Sequence, residues 1–116
     1  MRLLLDGCVP RTLRRALPEY TVTHVSDLGW DDLDDGPLLD QMAGEFDALL
    51  TTDKGIPFQQ QLTQRPFGVL VLRARSNRVP DLLPLIPDVR TTLAALRPGD
   101  VRILGASSRL AADEVT

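Results

Sequence analysis

Short apolar runs alternate with stretches whose apolar residues fall at helical spacing. RLLLD (2–6) reads as a buried strand. Pro10 suits the first turn of a helix over 10–17, with Leu13, Ala16 and Leu17 inward, and Pro18 ends it. YTVTHV (20–25) alternates and is β-branched, which predicts a second strand. The acidic stretch 26–36 follows as a loop.

Pro37 opens a helix in which Leu38, Leu39, Met42 and Phe46 share a face. DALLTTD (47–53) is a third strand. Gly55 and Pro57 break the chain before a short helix over 58–64. FGVLVLR (67–73) is apolar throughout, as in the middle of a parallel sheet. The loop RARSN leads to a helical stretch over 81–96, which Pro84 and Pro87 should kink or split. Pro98 and Gly99 bound a fifth strand, DVRILG (100–105). Strands alternating with helices imply right-handed βαβ units: an α/β fold with a mostly parallel sheet of four to five strands, covered on both faces. Residues 1–105 make one domain, and the small, polar residues 106–116 a fraying tail.

The 116 residues suffice for one core and no second domain. With 43% hydrophobic and 25% charged residues the composition is that of an ordinary globular domain. No apolar run approaches the roughly 20 residues of a membrane span, and MRLLLDG lacks the apolar stretch of a signal peptide, so a soluble, cytoplasmic protein is expected. Cys8, the single cysteine, excludes an internal disulfide and a zinc finger. At a net charge of −3 the chain does not attract polyanions as a whole. The signs segregate, however. Asp27, Asp31, Asp32, Asp34 and Asp35 crowd one segment, Arg11, Arg14 and Arg15 another, and Arg73, Arg75 and Arg78 a third.

Ligands of open α/β sheets bind beyond the carboxyl ends of the strands. Asp6 ends the first predicted strand and Asp53 the third, so two carboxylates face one edge. Asp35, just before a helix start, can reach it, and Asp40 is a fourth candidate. Clustered carboxylates repel unless a cation neutralises them, and hard oxygen donors select Mg²⁺ or Mn²⁺. Such an ion can activate water for phosphodiester hydrolysis. A receiver-type phosphoacceptor also uses aspartates at strand ends, but it needs a lysine closing a late strand; Lys54, the sole lysine, follows Asp53 instead.

LLLDGCVPRTLRRALPEYTVTHVSDLGW, then DDGPLL, FDALLTTDKGIPFQQQL and VLVLRARSN, resembles the small PIN-like proteins related to the PIN-domain toxins of bacterial toxin–antitoxin pairs. The likeness runs from residue 1 to about 105. It implies a PIN-like three-layer α/β/α sandwich and Mg²⁺- or Mn²⁺-dependent ribonuclease activity. The partners it implies are an RNA substrate, a small cognate antitoxin and a second copy in a homodimer. The aspartate of the family's Leu-Leu-Asp-Glu motif falls on Asp6, that of its Gly-Trp…Asp-Gly segment on Asp35, and that of its Thr-x-Asp strand end on Asp53.

One position departs. Gly7 stands where relatives usually carry Glu, removing a negative charge and a metal contact. A module that binds RNA or protein without cutting is therefore the alternative. As a plain structural residue, Gly7 would free the backbone for a turn.

Arg11, Arg14, Arg15, Arg73 and Arg75 are the candidates for tracking an RNA backbone. Other residues carry plainer expectations. Gln59, Gln60 and Gln61 suit a solvated helix, Ser76 and Asn77 a helix cap, and Cys8 a buried thiol. Trp30 suits packing, and Thr51 and Thr52 suit the strand, with a hydroxyl able to orient water beside Asp53. His24 lacks company for a metal site, and five aromatics are too few for a base-stacking platform.

Overall fold

Five apolar runs become strands: β1 (Arg2–Leu5), β2 (Thr21–His24), β3 (Ala48–Thr51), β4 (Gly68–Arg73) and β5 (Val101–Gly105). They form one all-parallel sheet in the order β2-β1-β3-β4-β5 in the computed structural model, which describes residues 1–56 and 61–105. Every residue of β3, and all of β4 up to Arg73, is buried, as strands covered on both faces require.

Side chains alternate between the two faces and so define two cores. Leu3 and Leu5 of β1, with Leu50, Leu70 and Leu72, pack against Leu13 and against Leu82, Ile86, Val89 and Leu93. Leu4, Leu49, Val69 and Val71 face the other way, onto Leu38, Leu39, Met42 and Phe46. The first layer is made by a 3₁₀ helix (Arg11–Ala16), by α2 (Val79–Leu82) and by α3 (Ile86–Ala95); α1 (Asp35–Met42) makes the opposite layer. The chain is thus an α/β/α sandwich, consistent with a PIN-like one.

The order carries a functional consequence. From β1 the chain moves outward to β2, then crosses back over β1 to β3 and continues through β4 to β5. The reversal lies between β1 and β3, and in doubly wound sheets the crevice opens at such a switch point. Flavodoxin-like sheets share this order, so topology locates the site without naming its chemistry.

Several expectations change in detail. The helix over 10–17 is a six-residue 3₁₀ segment, closed by i→i+3 bonds from Leu13 N–H to Pro10 O and from Leu17 N–H to Arg14 O. Two prolines eight residues apart leave little room for α-helical turns. The acidic loop is partly ordered: Val25–Leu28 is a 3₁₀ turn, and α1 begins at Asp35 rather than Pro37. α1 ends at Met42, with Gly44 at φ +83° turning the chain. Phe46 still joins the core from beyond the helix, held by its N–H to Met42 O.

The stretch expected over 81–96 starts at Val79 and divides, as its prolines require, into α2, a 3₁₀ turn (Leu83–Leu85) and α3. Gln61 to Gln64 are not helical, while Pro57, Phe58, Gln59 and Gln60 lie outside the described residues, as does the expected tail over 106–116. Gly105 is positionally demanding: at φ +129° an added Cβ would collide with the Arg73 carbonyl oxygen on β4. Among the described residues no helix is long and apolar enough to cross a membrane.

Candidate acidic site at the carboxyl edge

The register of β1 on β3 pairs Leu5 with Leu50, and Asp6 N–H extends the ladder to Leu50 O at 3.0 Å. Asp6 therefore stands beside Thr51, the fully buried last residue of β3. The Thr51 hydroxyl donates to Asp6 Oδ2 at 2.7 Å and accepts the Asp53 backbone N–H at 3.0 Å. One hydroxyl thus joins two aspartates separated by most of a βαβ crossover.

Asp6 Oδ1 accepts the Gly7 N–H at 2.8 Å, and Asp53 Oδ1 accepts the Gly55 N–H at 2.8 Å. The Cys8 thiol lies 3.7 Å from Asp6 Oδ2 and 3.4 Å from Thr51 Oγ1, and it accepts the Thr52 N–H at 3.4 Å. Cys8 is half-buried within this network, rather than an isolated core thiol.

Asp35 supplies the third carboxylate from the first turn of α1. Its carboxyl is pushed above the ordinary aspartate range, first by burial and then by the negative charges of Asp53, Asp6 and Asp34. A helix N-terminus normally favours a carboxylate. Burial and the neighbouring charges act on Asp35 in the opposite sense. None of Asp6, Asp35 and Asp53 forms an ion pair among the described residues.

The donor set fits a divalent cation in kind: three hard oxygen donors, mutually repelling and uncompensated. Their arrangement is open. Among the described residues no three His, Cys, Asp or Glu side chains are gathered tightly enough to hold a metal ion. Asp40 is turned elsewhere, since its exposed carboxylate pairs with Arg65 at 2.6 Å.

Gly7 does not have positive φ, and a Cβ built there meets only Val25 Cγ2 at an ordinary 3.8 Å. The expectation that glycine serves the turn at this position is corrected: the backbone would accept a side chain.

The arginines divide into two groups. Arg11 and Arg14 both pair with Asp27, at 2.7 and 3.1 Å. Asp27 also accepts the His24 backbone N–H at 3.0 Å, and that bond, with the charges of Arg14 and Arg11, holds its carboxyl below the ordinary range. Arg15 is exposed beside them and lines the same basic surface with Thr12. Arg73 ends β4, Arg75 lies exposed in the following loop, and neither has an ion-pair partner among the described residues.

Three plainer expectations resolve locally. Ser76 accepts the Arg78 N–H and donates to Asp81 of α2, bracing the start of that helix. Asn77 instead crosses to β1's loop, its Nδ2 donating to Cys8 O at 3.0 Å. Trp30 packs edge-on against Phe46. His24 is buried with Nε2 against Val9 O at 2.8 Å, which requires a proton there, while Nδ1 accepts the Ser26 N–H. It is a structural anchor between β2 and the loop after β1.

Compared with known proteins, the chain matches no protein-family model, no curated protein sequence and no solved structure.

Proposed function

We propose that this protein is a Mg²⁺- or Mn²⁺-dependent ribonuclease of PIN-like type. The observation that carries the reading is geometric: the Thr51 hydroxyl joins Asp6 and Asp53 at the carboxyl edge beside the switch point, and Asp35, its carboxyl raised by burial and then by their charges, is the third carboxylate there. Uncompensated carboxylates at a sheet's carboxyl edge are a place where a divalent cation relieves repulsion. When bound, the ion would neutralise a phosphate oxygen and activate water for attack on phosphorus.

The chain's own residues prepare that chemistry. Asp6 and Asp53 would hold the ion, kept in mutual register by Thr51. Asp35 would complete the set, shedding any proton it carries as the cation arrives. Gly7 and Gly55 N–H groups fix one oxygen of each strand-end aspartate, which limits rotation of both carboxylates. Arginines at the edge would position the RNA backbone. As the toxin of a two-gene module, such an enzyme would act in the cytoplasm under restraint by a small antitoxin and could pair with a second copy; these further roles rest on the sequence resemblance.

A second reading is favoured by Gly7. Since the backbone tolerates a Cβ there, the missing carboxylate is not imposed by the fold, and a binding module that has lost turnover would keep the same edge. Calorimetric titration with Mn²⁺ of the native chain and of Asp6→Asn and Asp53→Asn tests the primary reading. Saturable binding that either substitution abolishes supports it; no binding at millimolar Mn²⁺ by a folded chain overturns it. Mn²⁺-dependent cleavage appearing only in Gly7→Glu would select the second.

A further inference from the structure

Arg73 is unlike the other arginines. Its Nε is buried and is the one buried side-chain nitrogen or oxygen among the described residues with no hydrogen-bond partner. Native chains rarely leave such a donor unsatisfied, so it calls for an explanation, and an acceptor supplied by a ligand is one. A cavity exists: Arg73, Arg75, Pro80, Asp81, Pro84 and Leu85 line a volume of about 260 Å³ between the end of β4 and α2.

Charge defines what enters. Two arginines and one aspartate are among the lining residues, and Asp81 already accepts the Ser76 hydroxyl at 2.5 Å. The pocket keeps a positive excess, whereas Arg11 and Arg14 spend theirs on Asp27. Guanidinium forks match phosphate oxygens. Pro80, Pro84 and Leu85 add an apolar wall suited to a sugar or base.

Position defines the rest. β4 neighbours β3 at a strand spacing of roughly 4.8 Å, so Arg73 ends the strand next to the one that leads into Asp53. The loop after Arg73 touches the loop after Asp6 through the 3.0 Å Asn77–Cys8 bond. A volume of 260 Å³ lies just under the range of about 300–1,000 Å³ for drug-sized ligands, which suits one nucleotide. A paired base cannot enter it.

We infer that the pocket between β4 and α2 seats one phosphorylated nucleotide, phosphate on Arg73 and Arg75 and sugar and base on Pro80, Pro84 and Leu85. The strand presented to the acidic edge is then single-stranded. The strand's identity as RNA rests on the ribonuclease reading; the phosphate site does not.

The test follows the Arg73 Nε–H resonance by nitrogen-resolved NMR of the full, metal-free chain, assigned from its loss in Arg73→Lys. That variant keeps the charge and the aliphatic stem, so the fold is expected to persist. Adenosine monophosphate should move the signal saturably, inorganic phosphate more weakly, and adenosine not at all. Arg73→Lys and Arg75→Ala should each weaken nucleotide binding by about tenfold, and single-stranded RNA should compete where duplex RNA does not. An unmoved signal at millimolar nucleotide, or one that sodium chloride of equal ionic strength moves as far, overturns the site. Nucleotide binding without Mn²⁺ binding would leave the pocket standing and end the nuclease reading; the reverse result would do the opposite.

Discussion

Asp27 and Asp35 lie eight positions apart in the chain and were made to opposite purposes. Asp27 is surrounded by what a carboxylate wants: a backbone N–H from His24 and the guanidinium groups of Arg14 and Arg11. Asp35 is surrounded by what it does not want, partial burial and three other carboxyl groups. The first is satisfied within the chain and ties β2's end to the 3₁₀ helix. The second has no ion-pair partner among the described residues. The two carboxyls are displaced in opposite directions for different causes, satisfied contacts at Asp27 and burial with like charge at Asp35.

The comparison breaks most sharply at Asp6. Asp6→Asn should lower Mn²⁺-dependent cleavage and Mn²⁺ affinity by about 100-fold or more, since ligand losses exceed the 10–100-fold typical of supporting residues; calorimetry and a fluorogenic RNA assay read both. Thr51→Val comes next. It strands the Asp53 N–H and unties Asp6, costing about 1–3 kcal/mol in urea unfolding and weakening Mn²⁺ by about tenfold. A loss of stability with unchanged Mn²⁺ affinity would make Thr51 a strand residue only.

Asp27→Ala and Asp35→Ala form a crossed pair. Removing Asp27 should cost about 1 kcal/mol, the worth of a helix-capping contact, and leave Mn²⁺ binding intact. Removing Asp35 should leave stability equal or higher and abolish tight Mn²⁺ binding. Smaller still is the pH effect. Asp27, with its folded value lowered, adds stability above the ordinary aspartate value that is lost as pH falls through the folded one. Asp35, with its folded value raised, favours the folded state below the ordinary value, and that contribution is lost as pH rises through the folded one. Carboxyl-detected NMR titration should show the two on opposite sides of the unperturbed value, and Mn²⁺ should bring Asp35 down. Arg11→Ala, an exposed pair partner, should change stability by less than about 1 kcal/mol.

Much of this was legible without coordinates. Fully apolar runs declare buried strands, so β3 and β4 were readable, and the strand-end rule then singled out Asp6 and Asp53. Pro84 and Pro87 announced the division between α2 and α3 for a covalent reason, the missing N–H. The type of the 3₁₀ helix was less visible, because Leu13 and Ala16 lie three apart, as in a 3₁₀ helix, while Leu13 and Leu17 lie four apart, as in an α-helix. The part played by Thr51 and Cys8 was out of reach, because it depends on β1 lying against β3, a pairing that no local pattern encodes. The same holds for the two groups of arginines: both are short clusters in the sequence, and it is the placement of Asp27 beside Arg11 and Arg14 that tells them apart.

The hydroxyl bond from Thr51 to Asp6 spans 45 positions of chain. During synthesis from the N-terminus, Asp6 leaves the ribosome long before the strand that fixes it, and no shorter fragment can assemble the acidic edge. The acidic edge requires β3 to dock on β1, a non-local pairing. Until β3 lies against β1 the two strand-end aspartates are not brought together, so the acidic edge is a product of the folded sheet and of no single segment.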